Sequence, residues 1–499
     1  MKLLLDSLPA VLHDCKVISP TINQDGCQFA MLMKDGKKSL IVETEKSNSL
    51  CDRFDGVKLE NGANVFILCD LSSQNAQSLR SVLPFTNPVP IGNRDSFGFG
   101  DRLGNAGVAH LRSLENSNFL PILAQQSIRE LDRTGRTAQE VMDAATWAIF
   151  EVGHTAGFGA DADHLKTFAD IDRMADAGFT MYTIDPSDHV DNSVVELGDE
   201  TLKKAFMELP WDRLNDKPGE FLDRYIGKVF EFAPGITLKP SESSILKAAV
   251  KYGRVVLHTL EMFRHLKDAH KDIATEVELS VDETPHPTTP EEHLVIASEL
   301  KRLNVELVSL APRFCGEFEK GVDFKGDMTQ FKSEYIVHQA IAAEYGGYKL
   351  SIHSGSDKFG VYEAIGSLGI GTVHVKTAGT SYLEALRAIA LTDPVLFREI
   401  FAYSLARFET DKKTYHISAD PAMVSKPESY SDQSLADLLN DDHARQIFHV
   451  TFGSVLTEKD TSGRLVFKER IMEVLDKHND IYEECLYSHF RRHIKPFEM

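Results

Sequence analysis

Six scattered cysteines (Cys15, Cys27, Cys51, Cys69, Cys315, Cys485) include no C-x-x-C pair. Such spacing supports neither a disulfide framework nor a thiolate zinc site, and it fits a reducing compartment. Positive charge is also short: 54 Lys and Arg against 75 Asp and Glu give a net charge of −21. Nucleic acid and anionic membrane are therefore poor partners, because an acidic surface gains no counterion release from either. The chain has no apolar run of about 18 residues. Met1-Lys2-Leu3-Leu4-Leu5-Asp6 carries too short a run for a signal peptide, so a soluble cytoplasmic protein is expected. A dinucleotide fingerprint is missing too, since Gly98, Gly100 and Gly104 are spaced G-x-G-x-x-x-G, and no nicotinamide is expected. What remains is 499 residues with 42% hydrophobic content, enough for one large domain with appendages.

Residues 1–90 read as a small β-rich N-terminal domain. Gln28 to Glu45 alternates on either side of Lys34-Asp35-Gly36-Lys37, where Asp-Gly supplies the positive φ of a tight hairpin. Ala63 to Leu68 reads as a third strand, and a Pro-rich linker, Leu83 to Pro90, follows. Residues 91–499 repeat a strand-then-helix pattern, with strands expected at Asn118–Ala124, Gly157–Asp163, Phe179–Ile184, Thr275–Val281, Val305–Ala311, Tyr348–His353, Gly371–Val375 and Phe448–Phe452. Eight such units predict an α/β fold, a (β/α)8 TIM-type barrel with its chemistry at the strand carboxyl ends. A helical insertion is expected at about 190–274, where Ile245, Leu246, Ala249, Val250, Val256, Leu260 and Phe263 recur at helical spacing, and a second enlargement at about 380–446.

The strands deliver polar groups where they end. Ser351-Ile352-His353-Ser354-Gly355-Ser356-Asp357-Lys358 passes from a buried run into a polar loop, and Asp161, Asp163, His164 and Lys166 close another strand. A lone histidine is more often structural than a ligand. Two at separate strand ends, with carboxylates, suit a borderline divalent ion such as Zn, Mn, Ni or Co. A third, carboxylate ligand is open among Glu283, Glu317 and Glu319, the last two being equally well read as solvated loop charges. Arg94, Asp101 and Arg102, in the glycine-rich stretch 92–104, are placed at the mouth as substrate contacts, the alternative being a packed entry loop. His374 and Lys376 share one strand face. Lys376 could hold an anion or serve as a Schiff-base amine, the latter only if neutral. His189, His286 and His293 read as surface residues.

Five stretches carry a resemblance: Ser96-Phe-Gly-Phe-Gly-Asp-Arg-Leu-Gly104, Gly159-Ala-Asp-Ala-Asp-His-Leu-Lys-Thr167, Ser280-Val-Asp-Glu-Thr284, Phe318-Glu-Lys-Gly-Val-Asp323 and Ser351-Ile-His-Ser-Gly-Ser-Asp-Lys-Phe359. Over residues 92–360 the sequence resembles the tagaturonate epimerases of bacterial hexuronate catabolism, also called tagaturonate/fructuronate epimerases. The resemblance implies a metal-dependent interconversion of D-tagaturonate and D-fructuronate, with His164, His353 and Glu319 as metal ligands. It also implies Asp163, Glu283 and Lys358 as site residues, and the chemistry of the interconversion asks a carboxylate such as Asp163 or Glu283 to take the hydroxyl proton and return it. Arg313, Lys358 or Lys376 would hold the substrate carboxylate, with Lys166, Ser354 and Asp357 as further contacts. The two ketouronates differ at a carbon β to the ketone, which enolisation cannot invert. Without a nicotinamide, retro-aldol cleavage, rotation of the aldehyde and re-addition through a metal-stabilised enediolate is the expected route. The competing readings are a metal-dependent aldolase of a sugar acid or sugar phosphate and a non-catalytic sugar-acid-binding barrel. A homo-oligomer is left open.

Overall fold

The computed structural model describes residues 8–498, apart from the side chain of Cys51; the reading of Met1–Asp6 lies outside them. Six strands form an antiparallel N-terminal sheet: β1 (Lys16–Val17), β2 (Ile22–Gln24), β3 (Cys27–Lys34), β4 (Lys37–Glu45), β5 (Val57–Asn61) and β6 (Asn64–Cys69). The order is β1-β3-β4-β6-β5, with β2 against β3. Asp35 and Gly36, with φ of 50° and 79°, make the β3–β4 turn, the conformation a two-residue hairpin needs to match strand twist. Phe29, Met31, Val42 and Ile67 pack against Trp147 and Phe150 of the helix Ala138–Val152, which anchors the sheet to the barrel.

The barrel comprises β7 (Ser96–Gly100), β8 (Leu120–Ser127), β9 (Gly159–Leu165) and β10 (Met181–Ile184). After a hairpin, β11 (Phe230–Ala233) and β12 (Ile236–Leu238), come β13 (Glu276–Ser280), β14 (Ser309–Ala311), β15 (Lys349–Ile352) and β16 (Val373–Thr377). All eight barrel strands are parallel, and β16 closes on β7, His374 to Thr377 pairing with Ser96 to Phe99. Between β10 and β13 lie three helices, the longest being Glu242–Ala269, capped by Ser241 through the Ser244 N–H.

One expected strand is a helix. Phe448–Phe452 lies inside the buried helix Asp442–Thr457, because a short, fully apolar run has no periodicity to separate strand from helix. The missing strand is β7, read above as a glycine-rich loop. Its glycines are steric requirements: a Cβ on Gly98 would lie 1.7 Å from Gln125 Oε1, and one on Gly100 2.7 Å from the Ala378 backbone.

A candidate active site at the carboxyl end of the barrel

The barrel interior is unusually polar. Asp161, Glu278, Thr183, Ser309, Lys349, His374 and Lys376 are all buried on strands that pair side by side. Lys376 Nζ lies 2.7 Å from Asp161, 2.8 Å from Asp163 and 2.8 Å from Glu278, and donates to Thr183 Oγ1 at 2.6 Å. Burial disfavours its charge, but the three carboxylates outweigh that and raise its pKa well above the usual lysine range. Ringed by three carboxylates, Lys376 suits neither a neutral Schiff-base amine nor a free ammonium for substrate. Burial pushes the Asp161 carboxyl up to about 6 despite Lys376, because Asp163 and Glu278 add like charge. Glu278 goes the other way: Lys376 and His353 overcome burial and hold it well below the carboxylate range.

Strict alternation would turn His164 away from Asp161 and Asp163. A register shift between β9 and β10 and a φ of 55° at His164 reverse this, in the way bulges re-aim side chains next to sites. His164 Nδ1 meets Asp163 Oδ1 at 2.7 Å, and its ring centroid lies 5.3 Å from that of His353. His353 Nε2 meets Glu278 Oε1 at 2.5 Å. Its Nδ1 is 3.3 Å from Asp282 Oδ1 yet has no hydrogen-bond partner. Each imidazole is thus fixed by one buried carboxylate through one ring nitrogen, the arrangement that orients metal-ligating histidines. Burial and Lys376 oppose the His353 imidazolium, but Asp282 and Glu278 push its pKa up to about 10. His164 is raised as well, Asp163 and Glu283 outweighing burial.

A cavity of about 500 Å³ opens beside this pair, lined by Asp282, Glu283, Arg313, Lys320, His353 and Ser354 among others. Its far wall is Thr414, Tyr415 and His416, from the segment after the helix Pro394–Asp411. Glu283 Oε1 lies 3.8 Å from His164 Nε2 and 4.0 Å from Arg129. Asp163, His164 and His353 place ligand atoms within 4.8 Å of one another, as do His164, Asp185 and Glu283.

The other expected site residues fall elsewhere. Arg94 precedes β7 at the opposite end of the barrel, exposed, its Nε on Ile91 O. Asp101 folds its own loop by accepting from the N–H groups of Leu103, Gly104 and Ala106. Arg102 is buried against Glu130, with its guanidinium 3.5 Å from the Phe452 ring centroid. Lys166 pairs with Asp188 at 3.1 Å. Glu319 is apart from the histidines and accepts from Lys325, Ser418 and Gln446. Lys358 is buried, its Nζ donating to the carbonyls of Glu319, Val322 and Ser356, and burial lowers its pKa to about 7. Asp357 is locked between Arg445, His489 and the His493 ring, tying the loop after β15 to the C-terminal helix Asn479–Ile494. Arg313 and Ser354 do line the cavity. His293, expected at the surface, is buried between His338 and Tyr348. Sequence reasoning passed over Glu278 and Asp282 as site residues, although Glu278, Ser280 and Asp282 share one strand parity. Lys320 and Tyr415 come from loops with no such mark.

A closed barrel with a buried carboxylate–imidazole–ammonium cluster beside a polar cavity at the strand carboxyl ends defines a (β/α)8-barrel enzyme. The family is fixed by comparison: residues 19–497 match the family model of the tagaturonate epimerase UxaE, and the chain belongs to that epimerase family. It is 43% identical, over 95% of both chains, to the tagaturonate/fructuronate epimerase of Thermotoga maritima. The crystal structure of the fructuronate-tagaturonate epimerase UxaE from Cohnella laeviribosi superposes with a TM-score of 0.91 at 37% identity, covering 98% of this chain and 97% of that one. A glycerol complex of the same protein matches equally well.

Proposed function

We propose that this chain interconverts D-tagaturonate and D-fructuronate by retro-aldol cleavage and re-addition, with a divalent cation held by His164, His353 and Asp163. The supporting observation is the histidine pair: each ring gives one nitrogen to a buried carboxylate and turns the other to a second carboxylate, His353 Nδ1 lying 3.3 Å from Asp282 with no hydrogen bond closed and His164 Nε2 3.8 Å from Glu283, so that both rings and their carboxylates converge on one point. Two imidazoles and a carboxylate suit Zn, Mn, Ni or Co. Asp163 replaces Glu319 as third donor, because among the described residues it completes the one donor group that contains both histidines. A bound cation would supply Lewis acidity to the ketone oxygen and its neighbouring hydroxyl.

The chain's own groups perform the proton work. Glu283 faces the cavity beside His164 and takes the proton of the β-hydroxyl. The bond between the α and β carbons breaks, its electron pair passing into the ketone to give an enediolate, while the β carbon becomes an aldehyde. The aldehyde rotates, the enediolate carbon adds to its other face, and Glu283 returns the proton. No electrons are gained or lost overall. The cavity leaves room for this rotation, being about 500 Å³. Thiols outside any disulfide at Cys15, Cys69, Cys315 and Cys485 support a cytoplasmic setting, and no helix among the described residues is long and apolar enough to cross a membrane.

The test is turnover of D-tagaturonate by chelator-stripped and metal-reloaded protein, followed by NMR for isomers and by mass spectrometry for fragments. Epimerisation at constant mass only after reloading supports the reading. Full turnover by rigorously stripped protein contradicts it, and accumulation of two fragments would make the protein an aldolase.

A further inference from the structure

We propose that Lys320, acting with Ser354, is the carboxylate-binding subsite, and that it retains the carboxylate-bearing aldehyde fragment between cleavage and re-addition. The other cations near the site each face a carboxylate or backbone carbonyls. Lys376 is surrounded by Asp161, Asp163 and Glu278, and Lys358 points its Nζ at three carbonyls. Arg313 pairs with Glu317 at 3.2 Å but keeps a buried Nε without a hydrogen-bond partner, and Arg129 lies 4.0 Å from Glu283, so both remain partly available on the same wall and each has a carboxylate that Lys320 lacks. Lys320 lines the cavity, and its Nζ donates at 2.9 Å to Ser354 Oγ. Among the described residues no carboxylate forms an ion pair with it.

This contact leaves the site prepared for an anion. Ser354 Oγ accepts from Lys320, so its own O–H is free to donate, and the two groups present a positive charge and a neutral donor to the same space. Ser354 follows His353 directly, which sets the subsite beside the reacting carbons. The Lys320 backbone is held as well: its carbonyl accepts from Gln446 Nε2, and the preceding Glu319 is fixed by Ser418 and Gln446. A pinned backbone limits the ordering cost of gripping a ligand.

Retention follows from the chemistry proposed above, on which this part rests. In a ketouronate the carboxylate lies on the far side of the β carbon from the ketone. Breaking the α–β bond therefore leaves it on the aldehyde. An enzyme that reverses the aldehyde face must let the carbonyl turn while the fragment stays, and a grip on the carboxylate end permits this. The same pocket without that grip would release the aldehyde and act as an aldolase.

The experiment compares metal-loaded wild type with Lys320→Met and Lys320→Arg, measuring calorimetric dissociation constants for the equilibrated ketouronate mixture and for the neutral ketohexose D-tagatose. Removing a charge-assisted hydrogen bond is expected to lower the preference for the uronate over the neutral sugar about 10- to 100-fold in Lys320→Met. In Lys320→Arg the preference should stay within about threefold of wild type. A general structural defect would weaken both ligands alike, and an unchanged ratio overturns the subsite. If Lys320→Met does not fold, Lys320→Gln carries the same comparison. Since binding needs no turnover, this arm stands apart from the mechanism. The second arm traps released aldehyde with semicarbazide during turnover: Lys320→Met should leak the fragment in proportion to conversions and wild type should not, and a variant that turns over without leakage overturns the retention role.

Discussion

Replacing Lys376 by methionine tests whether the barrel interior is the electrostatic unit its geometry describes. Its ammonium, 3% exposed, lies 2.7–2.8 Å from Asp161, Asp163 and Glu278, so the substitution removes the common counter-charge of three buried carboxylates. Breaking a buried ion pair by deleting one partner typically costs about 3–5 kcal/mol, mostly from the charge left uncompensated. Here one carboxylate can relieve the loss by taking up a proton, and Asp161, already pushed up to about 6, is the first to do so. The expected loss near pH 7 is therefore about 3 kcal/mol, at the lower end of that range. Glu278→Gln removes one of the orphaned charges, so the double variant should be more stable than the sum of the single losses by about 1 kcal/mol or more. Urea unfolding of the four proteins of the cycle, all stripped of metal, gives both numbers. A Lys376→Met loss under about 1 kcal/mol, or strict additivity with Glu278→Gln, would refute the shared counter-charge.

Stability should fall as pH is lowered from 6.5 towards 5. His110, His258, His293, His338, His374, His449 and His493 all have folded pKa values lowered, first by burial. Below about 6.5 the unfolded chain binds protons that the folded one does not, and each such ring can contribute a slope up to about 1.4 kcal/mol per pH unit. His164 and His353, raised in the folded state, oppose this with the reverse sign, as does Asp161, raised to about 6, but they are three against seven. Urea midpoints from pH 7 to pH 5 check it, and a flat profile contradicts it. Turnover in deuterated water should introduce little deuterium at the inverted carbon, because retro-aldol cleavage leaves its C–H bond intact; stoichiometric label by NMR would show direct deprotonation instead.

Legibility in the sequence tracked how local each feature is. The β3–β4 hairpin could be read because Asp35-Gly36 is its whole cause. Seven barrel strands could be read because their outward-facing residues, such as Ala160, Ala162, Val277, Leu279, Leu350 and Val375, recur at every second position between helix-like segments. β7 could not, because the need for Gly98 and Gly100 arises from Gln125 and Ala378, far away in the chain. His164 and His353 were visible as strand-end histidines. The partners that fix them were less so: Glu278 bonds His353 across 75 residues, and Lys376 reaches Asp163 across 213. Arg102 and Asp357 look like site residues by composition, yet Glu130 in one case and Arg445 with His489 in the other absorb their charges. Such pairings exist only once the chain is folded.

Whether His353 ligates a metal is decided by metal content measured beside the melting curve of His353→Ala. His265→Ala serves as the background, since His265 and His270 both meet Asp172 at the surface and form another donor group. The expected result is loss of at least 100-fold in metal affinity and of turnover in a protein that still unfolds cooperatively, since even changes to groups behind a ligand typically cost about 10- to 100-fold. A variant that keeps stoichiometric metal while melting early, by about 1–3 kcal/mol, would show that His353 is a structural histidine and contradict the assignment.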